Sequence, residues 1–330
     1  MAIEIDLVSF SSKTKGHYLS LLPEQQREVS SGKLDWKFGY NPAGAGLVAI
    51  ATKDDEIMGI NAFMAGRFRI GETIQIGYQS MDTIVTEAAR GQGIFGKVIQ
   101  SFYKNSDGAL LYGFPNSNSS PGFFGKLGWT YFSSVPMLIR PLRTGYFLKR
   151  FGRLMPDFPV PIFSHADISS EPVVRFNDND TRTWRRFSKN ISCGLERDAD
   201  YLNWRLLDHP SENYTATRAT DGSFIATSLV DKHGGKVGYV MEAIGEETTL
   251  QRLIAKSLKT MKAADADVAL AWCLKDSPNY SAYRRAGFFP FLDPLRPITI
   301  NFGVRPMNGN AAVISDKSKW YLSYLDSDTV

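Results

Sequence analysis

Met81-Asp82-Thr83-Ile84-Val85-Thr86-Glu87-Ala88-Ala89-Arg90-Gly91-Gln92-Gly93-Ile94-Phe95-Gly96 is the stretch whose reading decides the fold. A short apolar run leads to Arg90, glycines follow at 91, 93 and 96, and a helix-like segment, Lys97-Val98-Ile99-Gln100-Ser101-Phe102-Tyr103, comes next. A strand that feeds a glycine-rich turn opening a helix presents several backbone N–H groups at the positive end of the helix dipole. Such a turn can hold a pyrophosphate without a metal.

Two nucleotide folds use glycines in this way, and spacing argues against both. A dinucleotide-binding turn wants Gly-x-Gly-x-x-Gly near the start of its fold, with an acidic residue about 20 residues on at a strand end. Gly91, Gly93 and Gly96 satisfy the bare pattern, but the turn follows a third or fourth strand, and Ser106-Asp107-Gly108 reads as a turn. A P-loop needs Gly-Lys-Ser/Thr, and Gly96-Lys97-Val98 lacks the hydroxyl for Mg²⁺.

The segment Arg90-Gly91-Gln92-Gly93-Ile94-Phe95 resembles the acyl-CoA turn, Arg/Gln-x-x-Gly-x-Gly/Ala, of the GNAT acyltransferases, departing from it in having Phe95 before Gly96. Downstream, Ala109 to Phe114 reads as a buried strand, and Asn116 lies in the Pro115–Pro121 stretch. Gly122-Phe123-Phe124-Gly125-Lys126-Leu127-Gly128-Trp129 is similar to the family's Asn…Ala…Tyr-x-Lys-x-Gly-Phe block. The resemblance implies acetyl-CoA or another acyl-CoA as donor, no metal, and cofactor contacts at Ile84, Val85, Thr86, Arg90, Gly91, Gln92, Gly93, Ile94, Phe95, Gly96, Asn116, Phe123 and Phe124.

Composition fits a globular chain. Its 330 residues suggest about two domains, and 43% hydrophobic with 22% charged residues excludes a fibre or a disordered tail. A net charge of +4 is small for a dedicated nucleic-acid surface, which normally shows a basic stripe, yet it suits an anionic ligand. Met1 to Phe10 carries Glu4 and Asp6 without a basic leader or apolar core, and no apolar run approaches the roughly 20 residues that cross a bilayer. A cytoplasmic location is expected. Cys193 and Cys273 sit among apolar or small residues and read as reduced core thiols, not a disulfide scaffold or a zinc site.

Apolar strands at Gly46–Ala51 and Met58–Phe63 flank Lys53-Asp54-Asp55-Glu56, so a hairpin is expected there. Phe68 to Gly77 alternates as a half-buried strand should, and Thr83-Ile84-Val85 follows as a central strand. Arg140, Arg143, Lys149, Arg150 and Arg153, mixed with Tyr146, Phe147, Leu148 and Phe151, form either a basic amphipathic helix or a packed linker helix that ends at Pro156, Pro159 and Pro161. A domain border near 160 is expected, giving domains 1–160 and 161–330.

The second half repeats the first. Gly128-Trp129-Thr130-Tyr131-Phe132 is echoed by Gly287-Phe288-Phe289-Pro290-Phe291, an offset of 287 − 128 = 159. At that offset, without gaps, Val85 meets Ile244, Ile94 meets Leu253, Ile99 meets Leu258, Phe102 meets Met261, Leu111 meets Leu270 and Phe124 meets Tyr283. Arg90, Gly91 and Gly93 instead meet Thr249, Leu250 and Arg252, and Glu246 and Glu247 would repel a phosphate. The fold class read here is α/β with mixed sheets: tandem GNAT-like folds, the first with an intact acyl-CoA turn and the second degenerate. Tandem units also occur in the Fem-type peptidyltransferases.

The family resemblance further implies direct attack of an amine on the thioester, with a carboxylate as base. Asp82, on the strand of Ile84, is the candidate; its alternative reading is a strand-edge aspartate bonding an amide. Where the family often has an acidic tyrosine this chain has Phe124, so Tyr131, Tyr112 or water would substitute, or the thiolate would leave unprotonated. The Arg197–Pro210 segment and the Trp320–Asp328 tail resemble segments of bacterial two-unit GNAT proteins of surface-polysaccharide pathways. That resemblance implies an amino-sugar acceptor, nucleotide-linked, with Trp204, Trp320, Asp326 and Asp328 as acceptor-side residues, whose bland alternatives are core packing and a solvated terminus. A Fem-like aminoacyl transferase and a non-catalytic acyl-CoA sensor stand as alternatives. The oligomeric state is not encoded legibly.

Overall fold

Turn chemistry sets the first sheet. In the computed structural model, which describes residues 3–145, 158–162, 167–232, 234–296 and 299–327, Asp54 and Asp55 take left-handed backbone at φ 52° and 66°. A tight hairpin turn demands that conformation, and Asp tolerates it better than most side chains. The two residues join β2 (Leu47–Lys53) to β3 (Glu56–Ile70), and Gly71 with Glu72 joins β3 to β4 (Thr73–Val85). The hairpin expected at 46–63 therefore forms, extended at its far end.

Strand β1 (Glu4–Ser9) borders β2. After β4 the chain enters helix α3 (Ile94–Asn105), which follows α1 (Ser12–Ser20) and α2 (Glu24–Leu34), and returns as β5 (Leu110–Gly113), parallel to β4. A helical crossover is what a parallel pair requires. Ile94, Val98, Ile99 and Phe102 of α3 are buried against Phe63, Tyr78 and Leu111 of the sheet, each such side chain contributing about 1.5–3 kcal/mol by leaving water.

The remaining positions show a reciprocal exchange. Strand β6 (Thr130–Ser134) is separated from β5 by β15 (Asn301–Pro306), and β9 (Cys193–Leu195) pairs with β3, giving the order β1-β2-β3-β4-β5-β15-β6. The other sheet contains β7 (Met137–Pro141), β8 (Ser170–Pro172), β10 (Thr215–Ala219), β11 (Phe224–Lys232), β12 (Gly235–Ile244), β13 (Val268–Trp272) and β14 (Phe289–Pro290). Its order is β14-β7-β13-β12-β11-β10-β8. Thus β7, which follows β6 in the chain, lies between β13 and β14, just as β15, which follows β14, lies between β5 and β6.

Two compact units result, each holding one sheet. The first comprises Met1–Ser134, Ser192–Glu196 and Thr299–Lys319; the second comprises Val135–Ile191, Arg197–Ile298 and Trp320–Val330. The units are tandem mixed α/β folds, but they interleave along the chain, and a border at 160 falls inside the second unit's Val135–Ile191 segment. Long-range pairing of Met137–Pro141 with β13 is the cause. Of the basic linker segment, Tyr146, Phe147, Leu148, Lys149, Arg150, Phe151 and Arg153 lie outside the described residues; Arg140 belongs to β7 and Arg143 pairs with Asp265 at 3.1 Å.

Candidate functional site: a forked strand pair and a glycine turn

In the first unit β4 and β5 are paired only at Tyr78↔Leu111 and Gln79↔Tyr112. Beyond those pairs the strands part. The cause is a β-bulge in β4, where the register with β3 slips from Ala62↔Met81 to Ile60↔Ile84, so that Asp82 and Thr83 oppose the single residue Asn61. Asp82 takes left-handed backbone at φ 52°, and a bulge of this kind bends its strand. Asn61 is fully buried and fastens the bulge: its amide donates to Ala62 O at 3.1 Å and Ser80 Oγ at 3.4 Å, and the Thr83 hydroxyl donates to Asn61 Oδ1.

The fork opens a cavity of about 780 Å³. Met81 to Val85 line one side, Gly113, Phe114 and Asn116 the other, with Arg90, Phe95 and Phe123 closing it. Among the expected contacts, Ile84, Val85, Arg90, Phe95, Asn116, Phe123 and Asp82 are thus gathered around one space. Asn116 Oδ1 accepts from the amides of Asn118 and Ser119, each at 3.0 Å, which shapes the loop after β5.

Next to the cavity the chain makes one 3₁₀ turn at Glu87–Ala89, anchored by Thr86 N donating to Met58 O at 3.0 Å. Gly91 and Gly93 then take φ 80° and 75°, and Gly93 forms the N-cap of α3. No heavy atom lies within 4 Å of a Cβ built at either glycine, so backbone conformation, not space, demands glycine. No side chain caps α3, and the N–H groups of Ile94, Phe95 and Gly96 are in its first turn, where intrahelical acceptors are lacking. Gly91, Gln92 and Gly93 are exposed. Arg90 touches Glu87 at 3.3 Å, but with 70% and 87% of the side chains exposed the pair is worth about 0–1 kcal/mol. The turn therefore offers amides and a loosely held guanidinium to an anion.

Phe95 packs toward the segment after β5. Its ring lies against Gly122, where a Cβ would come within 2.7 Å of it, and stands edge-on to Phe123 at 5.3 Å. Phe124 behaves differently from its neighbour: its ring packs on Gly303 and, at 4.8 Å, on Tyr131, away from the cavity lining. Tyr131 is half exposed, its hydroxyl donates to Asn301 Oδ1 at 3.3 Å, and it is not part of the lining either. Tyr112 is buried and donates to Gln79 Oε1 at 3.1 Å. The expected tyrosine acids are therefore both turned to other partners.

Asp82 is held by Lys37, Nζ to Oδ2 at 3.2 Å, and the Tyr18 hydroxyl lies 3.5 Å from its backbone oxygen. Lys37 sits in a wide helical turn, Asp35–Gly39, at the end of α2. The second unit has the same device: Asn203–Leu207 forms an equal turn, and Leu34-Asp35-Trp36-Lys37-Phe38 is matched by Leu202-Asn203-Trp204-Arg205-Leu206. This second repeat is plain in the sequence once an offset other than 159 is tried. Trp36 and Trp204 are both buried in these turns, so Trp204 packs as core.

Thr249, Leu250 and Arg252, which stand at the register of Arg90, Gly91 and Gly93, lie inside helix Glu247–Ala263 of the second unit. Only Gly245 and Glu246 separate that helix from β12, where the first unit has Thr86 to Gly93 before α3. The glycine turn has been replaced by extra helix, and the ungapped comparison hid this. Asp221 accepts from Thr249 Oγ1 at 2.7 Å beside the same helix end. Trp320 and Asp326 are buried in the second unit, with Asp326 bonded to Arg197 at 2.5 Å, so its carboxylate is already engaged; Asp328 lies outside the described residues. Among the described residues no group of His, Cys, Asp or Glu could hold a metal ion, and no helix is long and apolar enough to cross a membrane.

Solved structures share this architecture of a parted parallel pair and a helix entered through a turn. A GCN5-related N-acetyltransferase from Anabaena variabilis matches 94% of this chain over 75% of its own, with a TM-score of 0.66 at 11% identity. A counterpart from Kribbella flavida gives a TM-score of 0.61 at 11% identity, covering 94% of this chain and 73% of its own. Saccharomyces cerevisiae N-myristoyltransferase, solved with bound myristoyl-CoA, gives 0.57 at 12% identity, covering 91% and 82%. No protein-family model matches the sequence, and no curated protein does. The chain has the fold shared by the GCN5-related N-acetyltransferases and N-myristoyltransferases.

Proposed function

We propose that the first unit binds an acyl-CoA thioester and that the protein transfers the acyl group to an amine. The observation that carries this reading is the conjunction, in one unit, of the β4–β5 fork with an exposed, uncapped helix start at Gly93. Bound there, a thioester would supply an activated acyl carbon. Arg90 and the amides of Ile94, Phe95 and Gly96 would hold the pyrophosphate, as the helix dipole favours. The β4 edge from Met81 to Val85, which has no β5 partner, would align the pantetheine arm and the carbonyl by main-chain hydrogen bonds. Asp82 would take the proton released by the attacking amine. No protein acid is assigned to the leaving thiolate, because a thiolate is a tolerable leaving group near neutral pH.

For the acceptor we take the class that the Arg197–Pro210 and tail resemblances support, a nucleotide-linked amino sugar of bacterial polysaccharide synthesis. The test follows free CoA thiol in mixtures of acetyl-CoA or longer acyl-CoA with a panel of such sugars and of simple amines. Acceptor-dependent thiol release is expected. CoA binding without turnover on any amine would contradict a transferase and favour an acyl-CoA sensor.

A further inference from the structure

In the second unit too a parallel pair parts, and a segment of the chain packs against it. Strands β12 and β13 pair in parallel from Val237↔Val268 to Val240↔Ala271, after which β12 continues to Ile244. Tyr324 packs on the face that Tyr239 and Trp272 share. Its ring stacks on Trp272, the last residue of β13, at 4.5 Å and 28°, and meets Tyr239 of β12 edge-on at 5.2 Å. From Tyr321 to Ser327 every residue is 3% exposed or less.

This burial is arranged as recognition of a ligand would be. The segment adds no strand to the sheet; the oxygens of Ser323 and Tyr324 close its own turn, and those of Leu325 and Ser327 go to side chains. Tyr201 Oη donates to Leu325 O at 2.8 Å, Arg205 Nε donates to the same oxygen at 3.3 Å, and the Arg205 guanidinium also reaches Ser327 O. Glu242, on β12 beyond the paired region, accepts from the Tyr321 hydroxyl and, at 2.8 Å, from the Ser323 hydroxyl. Asn279 donates to Tyr321 Oη at 3.1 Å and to Ala243 O at 2.8 Å. Arg197, wholly buried, joins both sides, with Nε 3.1 Å from Glu242 and a terminal nitrogen 2.5 Å from Asp326. Removing the segment would leave Arg197, Glu242 and Arg205 with fewer partners in a dry site, the situation buried charges tolerate least.

We propose that the sheet face over β12 and β13 in the second unit is a peptide-binding cleft whose occupant is the chain's own segment Trp320–Ser327, a tethered ligand. The class of ligand is a short peptide folded into one 3₁₀ turn, Tyr324–Asp326, with an aromatic residue for Trp272 and Tyr239 and a carboxylate two positions later for Arg197. This proposal stands apart from the acyl-CoA reading of the first unit, because its test reads peptide, not CoA.

A protease site placed after Ser318, which is exposed, allows the full chain to fold before it is cut. After cleavage the 319–330 peptide is expected to stay with the protein through gel filtration and to exchange for a fluorescent copy added in excess, with the melting temperature falling when the cleft is emptied and recovering when it is refilled. A copy with Asp326→Ala should bind at least about 30-fold more weakly, the scale of losing one partner of a buried charge pair. Two results would overturn the proposal. One is departure of the peptide with an unchanged melting transition, which would make the segment passive cover. The other is absence of any exchange short of unfolding, which would make it ordinary core.

Discussion

Asp82 carries its carboxylate 3.2 Å from Lys37 Nζ while its own backbone is left-handed at φ 52°, at the bulge where β4 parts from β5. One residue thus marks the bend that opens the cavity and presents a carboxylate to it. Because Asn adopts left-handed backbone as readily as Asp, Asp82→Asn should keep the fork while removing the base. Turnover is expected to fall about 100-fold or more, with CoA affinity nearly unchanged. Unaltered turnover would leave Asp82 as the partner of Lys37 and no more.

Tyr131→Phe separates the two views of the leaving group. The Tyr131 hydroxyl is engaged with Asn301 outside the cavity lining, so the substitution should alter kcat/KM by about 0.5 kcal/mol or less, roughly twofold, as for an uninvolved surface change. A large loss of kcat would return Tyr131 to the role of acid.

Both thiols should be silent in the native protein. Cys193 is fully buried and Cys273 nearly so, and burial pushes each thiol well above its ordinary value. Since the thiolate is the reactive form, a thiol-reactive dye should label neither until denaturant is added, when both should react. Fast labelling of native protein would show that one of these sites opens.

The acidic helix start of the second unit makes a pH prediction. Burial opposes ionisation of Asp221, but hydrogen bonds from Thr249 and Ser223 outweigh it and hold the carboxyl below its ordinary 3.8. A carboxyl lowered on folding stabilises at pH above its unfolded value, and that contribution is lost as pH falls through the folded value. Asp221→Asn should therefore lower the melting temperature at pH 7, and the difference should shrink below about pH 3.8. A difference that is the same at both ends would mean that the charge is irrelevant.

Local chemistry made much of this fold legible. The aspartates at 54 and 55, the alternation after Phe68 and the glycines at 91 and 93 each have a short-range cause, and each appears where the sequence places it. What was illegible is long-range. Nothing in Met137–Pro141 or Asn301–Pro306 says that these short apolar strands trade sheets, because their partners lie across most of the chain. The replaced turn at Gly245 was masked by an apolar register that holds on both sides of it. Asp326, in an acidic tail, looks solvated; only the fold brings Arg197 to it. The aromatic run Trp320-Tyr321-Leu322 did signal burial, but not against which surface.

Calorimetric titration of CoA into the protein and its Gly93→Val variant tests the central claim most directly. Gly93 needs φ 75°, a conformation costly for a β-branched residue, and it stands where the α3 amides meet the ligand. One CoA per chain is expected to bind the natural protein, since only the first unit keeps the turn, and binding should be lost in a variant that still melts cooperatively. Absence of CoA binding by the natural protein, or equal binding by the folded variant, would contradict the account.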